Sequence, residues 1–147
     1  MERYGKAPGC KPTGGTDMVI DNSPEFLRKV ERKISRTNQY VGELFVSNAR
    51  QTNTYRDETG NLRNSIGYMA ITKGDTASMS FGQGGGGGEG QQYAMDLKSE
   101  VRDSGLIMVA GMSYGAAVEA RGYDVITNSV HKAKNKYRQM IAKALKV

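Results

Sequence analysis

The sequence has too few cysteines and histidines for several common kinds of site. Its 147 residues include one cysteine, Cys10, and one histidine, His131. A single cysteine excludes a disulfide within the chain, and a single histidine excludes a zinc cluster built on several histidines. Acidic side chains do occur close together, as at Asp57 and Glu58, but we interpret them as surface charges. We therefore expect no enzyme, no cofactor and no metal.

Long apolar segments are also missing. The longest purely apolar run, Leu106 to Ala110, is far shorter than the ~20 residues that cross a membrane as a helix. The first residues carry charges with no apolar stretch behind them, which argues against a signal peptide. A hydrophobic content of 37% and 19 glycines indicate a modest core, with flexible segments or burial completed against partners. We expect a soluble chain made in the cytosol, with no membrane partner.

Positive charge is concentrated near the C-terminus. The net charge is +6, and the 14 basic and 14 acidic residues up to Ala120 cancel. From Arg121 onward there are 7 basic residues and a single acidic residue, Asp124. This excess indicates a solvated helix face, a docking surface for an acidic partner, or a nucleic-acid contact.

Helix signals delimit one domain over residues 23–147. Residues 1–22 lack periodicity and contain turn formers, which predicts a flexible arm. Ser23, Pro24 and Glu25 form a helix start, and the helix is predicted to end near Arg50. Its apolar residues fall on one face, namely Leu27, Val30, Ile34, Val41, Leu44 and Phe45. On the opposite side lie Arg28, Arg32 and Arg36, which we interpret as a solvated face or as an inter-subunit or DNA-facing stripe.

A second helix is predicted from about Asn128 to Lys146. Tyr137 belongs to its apolar stripe, and its basic residues lie largely off that stripe. The most closely spaced of these basic residues are Lys132, Lys134, Lys136 and Arg138. These four residues are the main support for an alternative interpretation, in which the chain is a basic nucleic-acid-binding module.

The middle of the chain predicts a hairpin with a glycine-rich loop. Residues 66–72 are rich in β-formers, and Ala77, Met79 and Phe81 alternate with serines as the half-buried face of a return strand. Residues 82–90 are almost all glycine and predict a flexible loop, because no βαβ unit or phosphate-binding lysine accompanies them. Residues 91–104 fit either a short helix or an extension of the hairpin arm, so 82–104 is treated as a loop or insertion. Leu106 to Met112 is a buried strand candidate.

Two short phrases are interpreted as structural joints. In the first, Thr59 to Ile66, Gly60 can adopt a positive φ, and Leu62 and Ile66 point the same way to anchor a strand. Arg63 lies to the side and is predicted as an interface charge. In the second, Tyr114 to Gly122, small residues allow close packing, Glu119 is predicted as an exposed interface charge, and Gly122 resembles a helix C-cap.

The two phrases, in this order between two helices, resemble the tail-completion, or head–tail joining (neck), proteins of long-tailed bacteriophages. That family carries a T-G-x-L-x-x-S-I phrase and a later Y-A-x-x-V-E-x-G-like phrase. The matching residues are Thr59, Gly60, Leu62, Ser65, Ile66, Tyr114, Val118, Glu119 and, in place of the closing glycine after Ala120 and Arg121, Gly122. The chain departs from the family at Tyr55 to Glu58, where an alanine-proline step is usual, and at the insertion of residues 82–104.

The resemblance implies a fold and a role. The fold is α+β, with a long N-terminal helix and a C-terminal helix packed on a small, mostly antiparallel sheet that carries a long glycine-rich hairpin loop. The role is a homo-oligomeric ring in the virion neck, assembled in the host bacterial cytoplasm. Its partners would be portal-side connector or head-closure proteins, the tail tube or tail terminator, and DNA passing through the channel. Another minor capsid or head-closure protein is a further alternative.

Overall fold

The computed structural model describes residues 23–52 and 54–145, so the predicted N-terminal arm lies outside the described residues. The architecture is α+β, as predicted. The elements in chain order are α1 (Ser23–Arg50), α2 (Asn61–Ser65), β1 (Ile66–Thr72), β2 (Asp75–Ser80), α3 (Gly84–Leu97), β3 (Gly105–Ala110), α4 (Gly115–Ala120) and α5 (Thr127–Leu145). A 3₁₀ turn over Lys98–Glu100 follows α3. The predicted terminal helices and the predicted hairpin are confirmed.

The sheet has three antiparallel strands in the order β2-β1-β3. The central strand β1 is buried at every position except its last, because helices cover both of its faces. Ile66, Tyr68 and Ala70 belong to the core on the α1 side, whereas Met69 and Ile71 belong to the core on the α3 side. This alternation follows from the two-residue period of a strand.

Helices α1 and α5 form the layer on one face of the sheet and run antiparallel. The ammonium group of Lys33, in the first half of α1, donates to the carbonyl oxygen of Ala144 at 3.3 Å, near the end of α5. Val41, further along α1, lines a cavity with Ala133, nearer the start of α5. The first turns of α1 lie beyond this contact, so Leu27, predicted on the apolar face, is 56% exposed.

Tyr68 fixes the position of α1 on the sheet. Its ring packs so closely against Gly42 that a Cβ atom there would clash with the ring. Its hydroxyl group donates to Oε1 of Glu43 at 2.8 Å, and burial raises the pKa of Tyr68. A small residue in α1 and a large one in β1 therefore set the spacing of the two layers.

The glycine tract is helical, which corrects the prediction of a loop over residues 82–90 and over the insertion 82–104. Helix α3 begins at Gly84 and covers the second face of the sheet. A Cβ atom on Gly86 would clash with the carbonyl of Asn61, and one on Gly90 with the carbonyl of Ser65. Each glycine costs a helix about 1 kcal/mol relative to alanine, so tertiary packing rather than propensity stabilises α3. For residues 91–104, the helical alternative is confirmed as far as Leu97.

The predicted half-buried face of the return strand is confirmed at Phe81, which packs against the core on the α3 side, but it is wrong at Ala77 and Met79. Ala77 and Met79 are exposed, whereas Thr76, Ser78 and Ser80 are half-buried. Met79 pairs with Met69 and so lies on the α3 side, but α3 packs mainly on β1 and β3. The apolar side chains of this edge strand are therefore left largely uncovered.

Candidate functional site

The first phrase forms a short helix that leads into β1. Gly60 has a φ of +75°, as predicted, and immediately precedes α2. The backbone N–H of Arg63 donates to Oδ2 of Asp57 at 2.8 Å and so satisfies one donor of the first turn. Leu62 and Ile66 are both buried in the core on the α1 side, which confirms their predicted anchoring role.

Ser65 joins the first phrase to the segment that precedes the second. It is fully buried, and its hydroxyl donates to the carbonyl of Leu62 at 2.7 Å. The same Oγ accepts the N–H of Met112 at 3.3 Å, and the Ser65 carbonyl accepts the N–H of Gly111 at 3.2 Å. In addition, a Cβ atom on Gly115 would lie 3.3 Å from Cδ1 of Leu62. The two phrases therefore form one joint in space.

The Glu119 carboxylate accepts hydrogen bonds from its own chain, whereas the sequence predicts an exposed interface charge. Its Oε1 accepts three backbone N–H groups, from Val125 at 3.1 Å, Ile126 at 2.7 Å and Thr127 at 3.0 Å. Its Oε2 accepts the Thr127 hydroxyl at 2.6 Å. Burial alone would raise the pKa of Glu119, but the Thr127 hydroxyl and the three N–H groups outweigh it and lower the pKa below its usual value.

Arg63, the other predicted interface charge of the phrases, is also engaged within the chain. Its Nη2 donates to the carbonyl of Thr52 at 2.8 Å, and its guanidinium carbon lies 4.9 Å from the centroid of the Tyr55 ring. Tyr55 is buried beneath it. Arg63 thus holds the loop after α1 against α2, because a planar guanidinium can donate to a carbonyl and stack on a ring at once.

The remaining residues of the second phrase have ordinary structural positions. Val118 is half-buried against the core on the α1 side, whereas Tyr114 is 41% exposed. Gly122 has a φ of +93°, and its N–H donates to the carbonyl of Glu119 at 2.9 Å. This geometry confirms the predicted C-cap at the end of α4.

A basic groove lies between α1 and α5. This α1–α5 groove has a cavity volume of about 550 Å³. It is lined by Lys33, Arg36, Thr37, Tyr40, Lys136, Gln139, Met140, Lys143 and Ala144. Four of these lining residues carry a positive charge, and none of the lining residues carries a carboxylate. The interface residues predicted from sequence include Arg36 and Lys136 but not Lys33 and Lys143, because only the antiparallel packing of the helices brings all four to one place.

The other basic residues named from sequence are dispersed. Lys134 and Arg138 line a second cavity of about 330 Å³ on another side of α5, together with the half-buried Tyr137. Arg28 and Arg32 lie beside the β1–β2 turn in a cavity that Glu31 also lines. Lys132 is exposed on α5 and lines neither cavity beside that helix.

Burial raises the pKa of Tyr137. Its half-buried position agrees with the apolar stripe on which the sequence places it. The proposed basic module of Lys132, Lys134, Lys136 and Arg138 is therefore divided between two sides of α5.

Across residues 23–52 and 54–145, no group of three or more histidine, cysteine, aspartate or glutamate side chains could hold a metal ion. Within the same ranges, no helix combines the length and apolarity of a membrane span. No protein family, no curated protein and no solved structure matches the chain.

Proposed function

We propose that this chain is a structural virion protein that forms a ring in the neck of a long-tailed bacteriophage. It would join the portal-side connector or head-closure proteins to the tail tube or tail terminator, and it would carry out no catalysis. The observation that carries the proposal is the joint at Ser65, whose Oγ accepts the N–H of Met112 and so ties the first phrase to the segment that leads into the second. Both phrases thus have structural roles, as expected of a resemblance that rests on structural motifs.

Uncovered apolar side chains support an assembling role. Several large ones are at least 45% exposed, in the first turns of α1 and on the side of the sheet that carries α3. They are Phe26, Leu27, Met79, Tyr93 and Met95. A ring requires one surface of each copy to fit a different surface of the next, and exposed apolar residues on separate elements are suited to such heterologous contacts.

Two measurements test the proposal: the mass of the oligomer that the chain forms, and the position of the protein in phage particles. We expect the purified full chain to form a closed oligomer of one defined mass in analytical ultracentrifugation. We also expect antibody labelling in electron micrographs to place it between head and tail in particles. A chain that stays monomeric at high micromolar concentration and is missing from purified particles would contradict the proposal. Labelling elsewhere on the head would instead support another minor capsid protein.

A second candidate function is a basic nucleic-acid-binding module, and the α1–α5 groove favours it. Four cations converge there without a carboxylate among the lining residues. The two candidates are compatible, since a ring around a channel would meet DNA in passage. Binding of DNA by a chain that never oligomerises would favour the module alone.

A further inference from the structure

We propose that the α1–α5 groove binds the phosphodiester backbone of nucleic acid without regard to base sequence. The idea that this groove meets DNA inside a channel rests on the proposed neck role. Binding of nucleic acid by the groove can nevertheless be tested on the isolated chain. The proposal assigns the contact to residues of both helices, Lys33 and Arg36 on one wall and Lys136 and Lys143 on the other.

The charges of the groove are available for a ligand. Arg36, Lys136 and Lys143 form no ion pair with any described residue, in contrast to Lys73, whose ammonium lies 3.0 Å from Glu31. Lys33 donates to the carbonyl of Ala144 but has no carboxylate partner among the described residues. Because like charges repel, four cations around one cavity favour an anion that neutralises them together.

The spacing of the cations favours a polyanion over a single small anion. Lys136 and Lys143 are two turns apart on α5, which corresponds to about 10 Å along the helix axis. One strand of a duplex carries about three phosphates over that length. An isolated phosphate or carboxylate could contact only part of the set, whereas consecutive phosphates can contact both walls.

The uncharged lining residues suit a backbone contact better than base recognition. Tyr40 is 51% exposed and offers an aromatic face to a sugar or an unpaired base. Met140 and Ala144 supply apolar lining, and the groove lies between helices rather than on one that projects into a DNA groove. We therefore expect affinity that depends on salt and little on sequence.

The test uses two double variants with the same change in charge on the same two helices. The groove variant is Arg36→Glu with Lys136→Glu, and the matched control is Arg28→Glu with Lys132→Glu. The probes are a mixed-sequence duplex, a single strand of equal length and poly-glutamate, each followed by fluorescence anisotropy over a salt series. Circular dichroism and melting temperature check the fold, and an Arg36→Gln, Lys136→Gln variant replaces the groove variant if the latter unfolds.

For the unmodified chain, we expect log affinity to fall with log salt at a slope of about −3 to −4 on the duplex, or nearer −3 on the single strand. The groove variant should bind at least ~10-fold more weakly at low salt. It should also reduce the slope by about 2, because each of the two replaced cations would otherwise neutralise one phosphate. The control should change affinity less than ~3-fold. Whichever nucleic acid binds more tightly identifies the form that the groove accepts.

Three outcomes would overturn the proposal: no binding to either nucleic acid, equal losses in both variants, or tighter binding of poly-glutamate than of DNA. The last would point to an acidic protein partner. Sedimentation of the same samples separates this inference from the neck proposal. A ring that does not bind DNA refutes only the groove, and a monomer that binds DNA through the groove contradicts only the ring.

Discussion

The carboxylate of Glu119 accepts the hydroxyl of Thr127 at 2.6 Å and thereby caps α5 from the helix before it. Three backbone N–H groups at the start of α5 point to the same carboxylate. Thr127 opens α5 and its N–H has no partner within that helix, and a negative charge is favoured at the positive end of the helix dipole. Glu119 thus connects the end of α4 to the start of α5.

Replacing this carboxylate should destabilise the fold. We expect Glu119→Gln to lower the free energy of unfolding by ~1 kcal/mol and Glu119→Ala by ~2 kcal/mol, since the cap is partly exposed to solvent. Urea unfolding followed by circular dichroism measures both. The control is Glu89→Gln on the exposed side of α3, which should change the value by less than ~0.5 kcal/mol. Equal effects at the two positions would contradict the capping role.

The same contact predicts a pH dependence. The pKa of Glu119 lies below its ordinary value of 4.5, so the folded state favours the ionised form. Its contribution is therefore complete above pH 4.5 and is lost as the pH falls through the folded pKa. Between pH 5 and 3, the melting temperature of the unmodified chain should approach that of Glu119→Gln. A constant difference over that range would show that the carboxylate contributes nothing through its charge.

Two glycines of α3 should respond in opposite directions to alanine. A Cβ atom on Gly90 would clash with the carbonyl of Ser65, whereas one on Gly88 would meet no atom within 4 Å. We expect Gly90→Ala to destabilise by ~1–3 kcal/mol, because the backbone itself would have to shift. Gly88→Ala should stabilise by ~0.5–1 kcal/mol, because alanine is the better helix former. If both substitutions stabilised the chain in thermal unfolding, that result would contradict the close packing of α3 against Ser65.

Arg63 should be sensitive to lysine, although the charge is retained. An ammonium group cannot donate to the Thr52 carbonyl and stack on the Tyr55 ring in the same geometry. We expect Arg63→Lys to destabilise by ~1 kcal/mol. Arg56→Lys is the control, because the Arg56 side chain is 87% exposed and pairs at 4.0 Å with Glu58, which is itself 74% exposed. Chemical unfolding of the two variants side by side provides the measurement, and indistinguishable midpoints would argue against the stacking contact.

Local signals in the sequence were sufficient for the elements that depend on neighbouring residues. Ser23 and Pro24 predict the start of α1, and the 3.6-residue period of its apolar side chains predicts its length. Gly60 and Gly122 were predicted as joints because positive φ angles and C-caps are local properties of glycine. At Ala77 and Met79 in strand β2 the prediction is wrong, since alternation alone does not show how much of an edge strand a helix will cover.

Features that depend on contacts between distant residues were decided by the tertiary structure. A tract of glycines has no helical preference of its own, and α3 exists because its bare backbone fits against Asn61 and Ser65. Glu119 has the sequence pattern of an exposed charge, but the fold brings the N–H groups of Val125, Ile126 and Thr127 to its carboxylate. By itself the sequence determined two amphipathic helices, a hairpin and a positive C-terminal segment. Only the antiparallel packing of α1 on α5 gathered four cations into one groove, because they come from separate helices whose alignment depends on the whole core.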